Sequence, residues 1–186
     1  MSSVVIAGDT SGTITLAAPA VSGTTTLTLP ATSGTIVTSA SSLTASQMPA
    51  GSVLQVVQGS TSTSVSTTST TATDTGLSAS ITPSSASNKI LVIVAQNYYL
   101  QGGATNSGAI LLLRTSTTIG TTGDYPVWIT ASANLGGIYS ISYLDSPSTT
   151  SSVTYKTRQK LRDGNEMVTQ RDSLTASTIT LLEIKG

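Results

Sequence analysis

The sequence predicts an all-β protein: a short N-terminal arm of β-repeats, then a C-terminal antiparallel β-sandwich resembling a jelly roll, the whole assembled as a trimer. Three observations carry this expectation. Ser and Thr make up about a third of the 186 residues, a usage that favours strands over helices. No segment shows a convincing helical period, whereas alternating or continuous apolar runs recur at strand length, bounded by Gly, Pro and Asn. The third observation is a repeat, since Ser11-Gly12-Thr13, Ser22-Gly23-Thr24 and Ser33-Gly34-Thr35 stand eleven residues apart.

Each repeat reads as Gly at a turn, alternating Thr and aliphatic residues as a strand, and Pro as a stop. The segment 1–50 holds one charge, Asp9, no aromatic residue, and no apolar side chain larger than Leu, Ile or Met48. Strands of this kind bury too little to fold alone. Other copies are therefore expected to order them. A threefold arrangement in which Ile14, Leu16, Leu27, Leu29 and Ile36 meet their symmetry mates near an axis would supply the missing core and make a homotrimer. A flexible Ser/Thr linker is the alternative.

Residues 39–49, leading into Pro49-Ala50-Gly51, read as the joint, which places the second domain at 51–186. Its expected strands are Ser52–Gln58, an edge strand near Thr63–Ser69, Gly76–Ile81 before Pro83, Lys89–Gln101, Ala109–Arg114, Tyr125–Ala131, Gly137–Asp145, Val153–Arg162, Met167–Arg171 and Ser177–Lys185. The unbroken run Ile90-Leu91-Val92-Ile93-Val94 predicts a central strand buried on both faces. Short strands at this spacing imply a sandwich or barrel.

Composition excludes much chemistry. There is no Cys and no His, hence no disulfide, thiolate nucleophile, imidazole base or ordinary zinc or haem site. No cofactor or metal is expected. A formal net charge of +0 gives no pull toward nucleic acid. Ile90 to Ala95, the longest strongly apolar stretch, is too short to span a bilayer, and Met1 to Gly8 lacks the features of a signal peptide. Asp163, Glu166 and Asp172 form the only carboxylate cluster, beside four cations, where pairing explains them better than catalysis. A non-enzymatic protein is expected.

Half of the formal charges lie between Lys156 and Asp172. Lys156, Arg158, Lys160 and Arg162 alternate, so a strand projects them from one face as a cationic stripe, with Val153, Tyr155 and Leu161 turned to the core. Asp163-Gly164-Asn165 reads as a hairpin turn. A three-residue loop would set Arg162 against Glu166 and Lys156 against Asp172; a two-residue loop would leave the stripe open. The stripe suits an anionic partner, or equally a solvated face that prevents edge pairing. Tyr98, Tyr99 and Trp128 are candidate glycan contacts, with core or interface packing as the alternative.

The run Gly8-Asp9-Thr10-Ser11-Gly12-Thr13-Ile14-Thr15-Leu16 with Pro19, followed by Ser22-Gly23-Thr24-Thr25-Thr26-Leu27-Thr28-Leu29-Pro30, resembles the N-terminal segment of tailed-bacteriophage virion structural proteins, notably head-fibre, decoration and tail-fibre proteins. Pro49-Ala50-Gly51-Ser52-Val53-Leu54-Gln55-Val56-Val57, Ile81-Thr82-Pro83-Ser84-Ser85 before Lys89-Ile90-Leu91-Val92, and Ile179-Thr180-Leu181-Leu182-Glu183-Ile184 are similar to stretches of the same group. The resemblance implies a trimeric β-structured appendage of the virion, attached by its N-terminal part. Three repeats make a stub rather than a shaft, and 186 residues are few for a receptor-binding fibre, which favours a capsid decoration or cement protein bound to the major capsid protein on the outer capsid surface. A tail-fibre or receptor-binding protein recognising a host glycan is the alternative.

Overall fold

In the computed structural model, residues 3–7, 10–17, 31, 43–102, 105–121, 127–129, 133–173 and 175–186 are described. The chain divides between Ser42 and Leu43 into two units, inside the joint expected at 39–49. In the first unit, β1 (Ser3–Ala7) and β2 (Thr13–Ala17) pair antiparallel, Ser3 opposite Ala17 and Ala7 opposite Thr13. The turn uses Gly12 at φ 83°, in the left-handed region that Gly enters without strain. The neighbours Val5 and Ile6, on opposite faces, are 56% and 53% exposed. Two strands alone supply no core.

The second unit is built from β3 (Val53–Thr61), β4 (Val65–Thr67), β5 (Thr73–Ile81), β6 (Lys89–Gln101), β7 (Asn106–Arg114), β8 (Thr117–Thr121), β9 (Val127–Ile129), β10 (Leu135–Asp145), β11 (Val153–Asp163), β12 (Glu166–Thr169) and β13 (Ser177–Ile184). No α-helix occurs among the described residues, and none of their helical turns is long and apolar enough to cross a membrane. All pairings are antiparallel.

Six strands form one sheet and five the other. In the first, β13 and β12 pair with successive stretches of one edge of β6, and β10 takes its opposite edge over nearly the full length. Likewise β3 and β4 pair with β13 and β12. Collinear segments thus reduce this sheet to four lines, in the order β3/β4, β13/β12, β6, β10. The second sheet reduces in the same way to β5, β11, β7 and β8/β9, because β8 and β9 share the edge of β7 that β11 leaves.

Alternation fills the space between the sheets. Ile90, Val92, Val94 and Leu100 of β6, Ile179 and Leu181 of β13, and Ile141 of β10 meet Leu77 and Ile81 of β5, Ile110 and Leu112 of β7, and Val153, Tyr155 and Leu161 of β11 in one buried cluster. Where β3 crosses β5 the backbones come so close that a Cβ at Gly59 would collide with the Ser78 carbonyl. Residues 43–52 belong to this unit because they clasp the end of β13: Gly51 N donates to Lys185 O (2.8 Å), Lys185 N to Ser52 O (2.9 Å) and Lys185 Nζ to Ser46 O (3.0 Å).

Three expectations need correction. Asp163-Gly164-Asn165 is not a hairpin turn, because β11 lies in the second sheet and β12 in the first; the segment crosses between sheets, with Gly164 at φ 110° packed on Asn106. The hairpin that would have set those charges face to face across paired strands is therefore absent. The run Ile90–Val94 is central as expected, but only its inward half is buried, and Ile93 on the outer face is 43% exposed. Finally β8, which follows a tight turn at Thr115-Ser116, has no apolar alternation to announce it.

Candidate functional site

The two outer faces of the sandwich differ in kind. On the second sheet, Lys156, Arg158 and Lys160 of β11 alternate with the buried Tyr155, Thr157 and Gln159, so the strand does project a basic stripe outward. Its partner is Asp74 on the adjacent β5. Lys156 Nζ lies 3.1 Å and Arg158 Nε 2.6 Å from the Asp74 carboxylate. The Arg158 bond lowers the Asp74 pKa most, burial opposes it, and the Lys156 bond adds to the lowering, so the carboxyl sits below its usual range. Arg162 stands apart from this cluster at the end of the strand, 3.8 Å from Asp163. Because Asp74 is about half exposed, Asp74→Asn should cost less than about 1 kcal/mol of stability. It should also strengthen retention on a cation-exchange support in a salt-dependent way; unchanged retention would show that the stripe is already open.

At the far end of the first sheet, Asn97, Tyr98, Tyr99, Ile138, Arg171 and Asp172 line an open cleft of about 380 Å³. The two tyrosines, adjacent on β6, point to opposite faces. Tyr98 turns inward against the core, in the space left by Gly137, and burial raises its pKa. Tyr99 turns outward, lies against Gly136 of β10, and carries the Arg171 guanidinium 3.8 Å from its ring centroid. That stack occupies a ring face that a sugar would need. Arg171 went unrecognised as part of this cleft because the backbone at Gln170 and Asp172 turns left-handed, at φ 51° and 62°, which an alternating strand pattern does not forecast. The structure does not unite Tyr98 and Tyr99 into one stacking surface. Trp128 is on β9 with its backbone opposite Ser107; its side chain is outside the described set.

Between these ends the first sheet's outer face is uncharged, with an apolar row flanked by Gln58, Thr180, Thr178 and the serines of β10. The register aligns Val56 of β3, Leu182 of β13, Leu91 of β6 and Leu144 of β10 in one row across the sheet. Val56 is 58% and Leu144 50% exposed, and Ile93 and Ile138 share the face.

The buried polar groups are committed to structure. Asp145 accepts from Arg114 Nη1 (3.0 Å) and from the Tyr155 hydroxyl (2.7 Å); burial, then this bond, pushes the Tyr155 phenol up. Of the expected carboxylate cluster, Asp163 accepts from Ser107 Oγ at 3.0 Å and Asp172 pairs with Arg171 at 3.5 Å. Among the described residues no three His, Cys, Asp or Glu side chains gather as a metal site. Of the arm residues expected at a threefold axis, Ile14 and Leu16 are on β2, where only the backbone is described, opposite Ile6 and Val4. Leu27, Leu29 and Ile36 lie outside the described residues.

Compared with known proteins, the chain matches no family model and no curated protein.

Proposed function

We propose that this is a non-enzymatic virion structural protein, a trimeric capsid decoration or cement protein that attaches to the major capsid protein through its N-terminal arm and holds neighbouring capsomers together by multivalent contacts. The observation that carries the proposal is the strand order. Taken as eight lines in chain sequence, the sheets run first, eighth, third, sixth and second, seventh, fourth, fifth, the order of a jelly roll. That architecture serves viral capsid, lectin and cupin domains. With no histidine in the chain, the usual histidine-ligated metal centre has no ligands here. The Arg171 cap on Tyr99 weighs against a lectin, which leaves assembly as the role best supported. Fold alone does not decide function; the resemblance of the repeats to phage virion proteins and the exposure of Val5 and Ile6 on the β1–β2 hairpin add to it.

The experiment is deletion of residues 1–42, cut where the clasp on β13 begins. The remaining chain should be soluble and folded yet fail to associate with capsids lacking this protein, whereas the full chain binds them. Retained binding would reject the arm as the attachment element. Competition of the isolated protein with virus for cells, abolished by Tyr99→Ala, would instead favour the host-glycan reading at the cleft.

A further inference from the structure

We infer that the uncharged outer face of the first sheet, with its apolar row, is the surface on which a second copy of this chain packs. The inference rests on the homo-oligomer reading above but locates a contact on the sandwich as well as the arm. The first argument comes from β6. Its unbroken run Ile90–Val94 has the pattern of a strand covered on both faces, yet in the single chain Ile93 is 43% exposed. The missing cover has to satisfy a whole row, since Val56, Leu182, Leu91 and Leu144 stand side by side on successive strands.

Charge selects the occupant. Outward positions along this face carry no charged side chain from Lys89 at one end to Arg171 and Glu166 at the other, although the opposite outer face holds Lys156, Arg158, Lys160 and Asp74. A partner with its own charge pattern would meet nothing to pair with here. A second copy brings an equally neutral surface, so self-contact has no like-charge penalty. Size agrees. Four lines about 4.8 Å apart and roughly ten residues long make a face of about 19 by 35 Å, near 700 Å², close to the about 800 Å² that each partner gives a stable interface.

The chain's lack of cysteine makes the test direct. Single reporters are placed in the full chain at Ser142→Cys, beside Ile93 on this face, and at Ser78→Cys on the charged side. Their thiol modification rates are measured across a dilution series alongside the mass by sedimentation equilibrium. The S142C thiol should react about tenfold more slowly than S78C in the oligomer. It should recover as mass is lost on dilution, or at high concentration when the exposed Val56 and Leu144 are both changed to Lys. Equal rates in an oligomer would overturn the inference while leaving self-association through the arm intact. Protection that persists in a monomer would overturn it by showing that the chain's own arm covers the face. A monomer at every concentration with both thiols reactive would sink both readings.

Discussion

Gln96→Ala should lower the free energy of unfolding by about 4 kcal/mol, combining a core cavity with broken buried hydrogen bonds. Gln96 is 0% exposed, in the middle of the sandwich. It joins the sheets through a directed chain of bonds: Leu77 N donates to Thr75 Oγ1 (3.2 Å), which bonds Thr157 Oγ1 at 2.5 Å, which in turn donates to Gln96 Oε1 at 2.7 Å. On its other side Gln96 Nε2 donates to Ser177 Oγ (2.9 Å). Gln170, turned so that its carbonyl accepts from Ser177 Oγ, closes the chain by donating to the Thr63 and Thr75 carbonyls. The links from Thr75 through Thr157 and Gln96 to Ser177 are buried, so loss of the central amide strands Thr157 and Ser177. Gln96→Leu, which keeps most of the volume, should cost about 2 kcal/mol because it removes the bonds alone. Urea unfolding of both variants checks the pair. A loss under about 1 kcal/mol for Gln96→Ala would mean that water or neighbouring hydroxyls refill the chain.

That polar layer explains where the fold was legible in the sequence and where it was not. Strands with strong apolar alternation were readable: β6 spans Lys89–Gln101 as expected, and Val153, Tyr155 and Leu161 do face the core. Serine and threonine carry no apolar signal, yet Thr75, Thr157, Thr169 and Ser177 are fully buried. A hydroxyl can enter a core when a partner waits for it, and the partner is a feature of the tertiary pairing rather than of local sequence. β8 was missed for a related reason. Its turn at Thr115 takes φ 55° without the Asn-Gly or Asp-Gly pair that marks such turns. The basic stripe was legible from alternation, but its counter-ion Asp74 lies about eighty residues away in sequence and adjacent only across the sheet. The outer face of the first sheet was half visible: the run in β6 announced two covered faces, while Ile93 on the outer one is 43% exposed.

Glu183→Ala should also cost about 4 kcal/mol near neutral pH, and the cost should shrink in acid. Glu183 is 1% exposed on β13. Its carboxylate accepts from Ser84 N (2.6 Å), Ser84 Oγ (2.8 Å), Asn88 Nδ2 (2.6 Å) and Gln55 Nε2 (2.6 Å), binding the segment between β5 and β6 to the edge of the first sheet. These donors are neutral, so the charge is held by hydrogen bonds alone. Burial pushes the carboxyl pKa up, but the Asn88, Gln55 and Ser84 bonds outweigh it and leave the net value below the ordinary 4.5. The sign follows from proton binding. Just below pH 4.5 the unfolded chain takes up a proton that the folded chain still refuses, so this contribution is complete above the unfolded pKa and is lost as pH falls through the folded one. Wild type and Glu183→Ala should therefore differ most at pH 7 and converge as pH drops below about 4.5. Chemical denaturation at intervals between these pH values measures the gap directly. A constant gap would show that the carboxylate keeps its charge, or lacks one, throughout, and that the four bonds act through shape rather than ionisation.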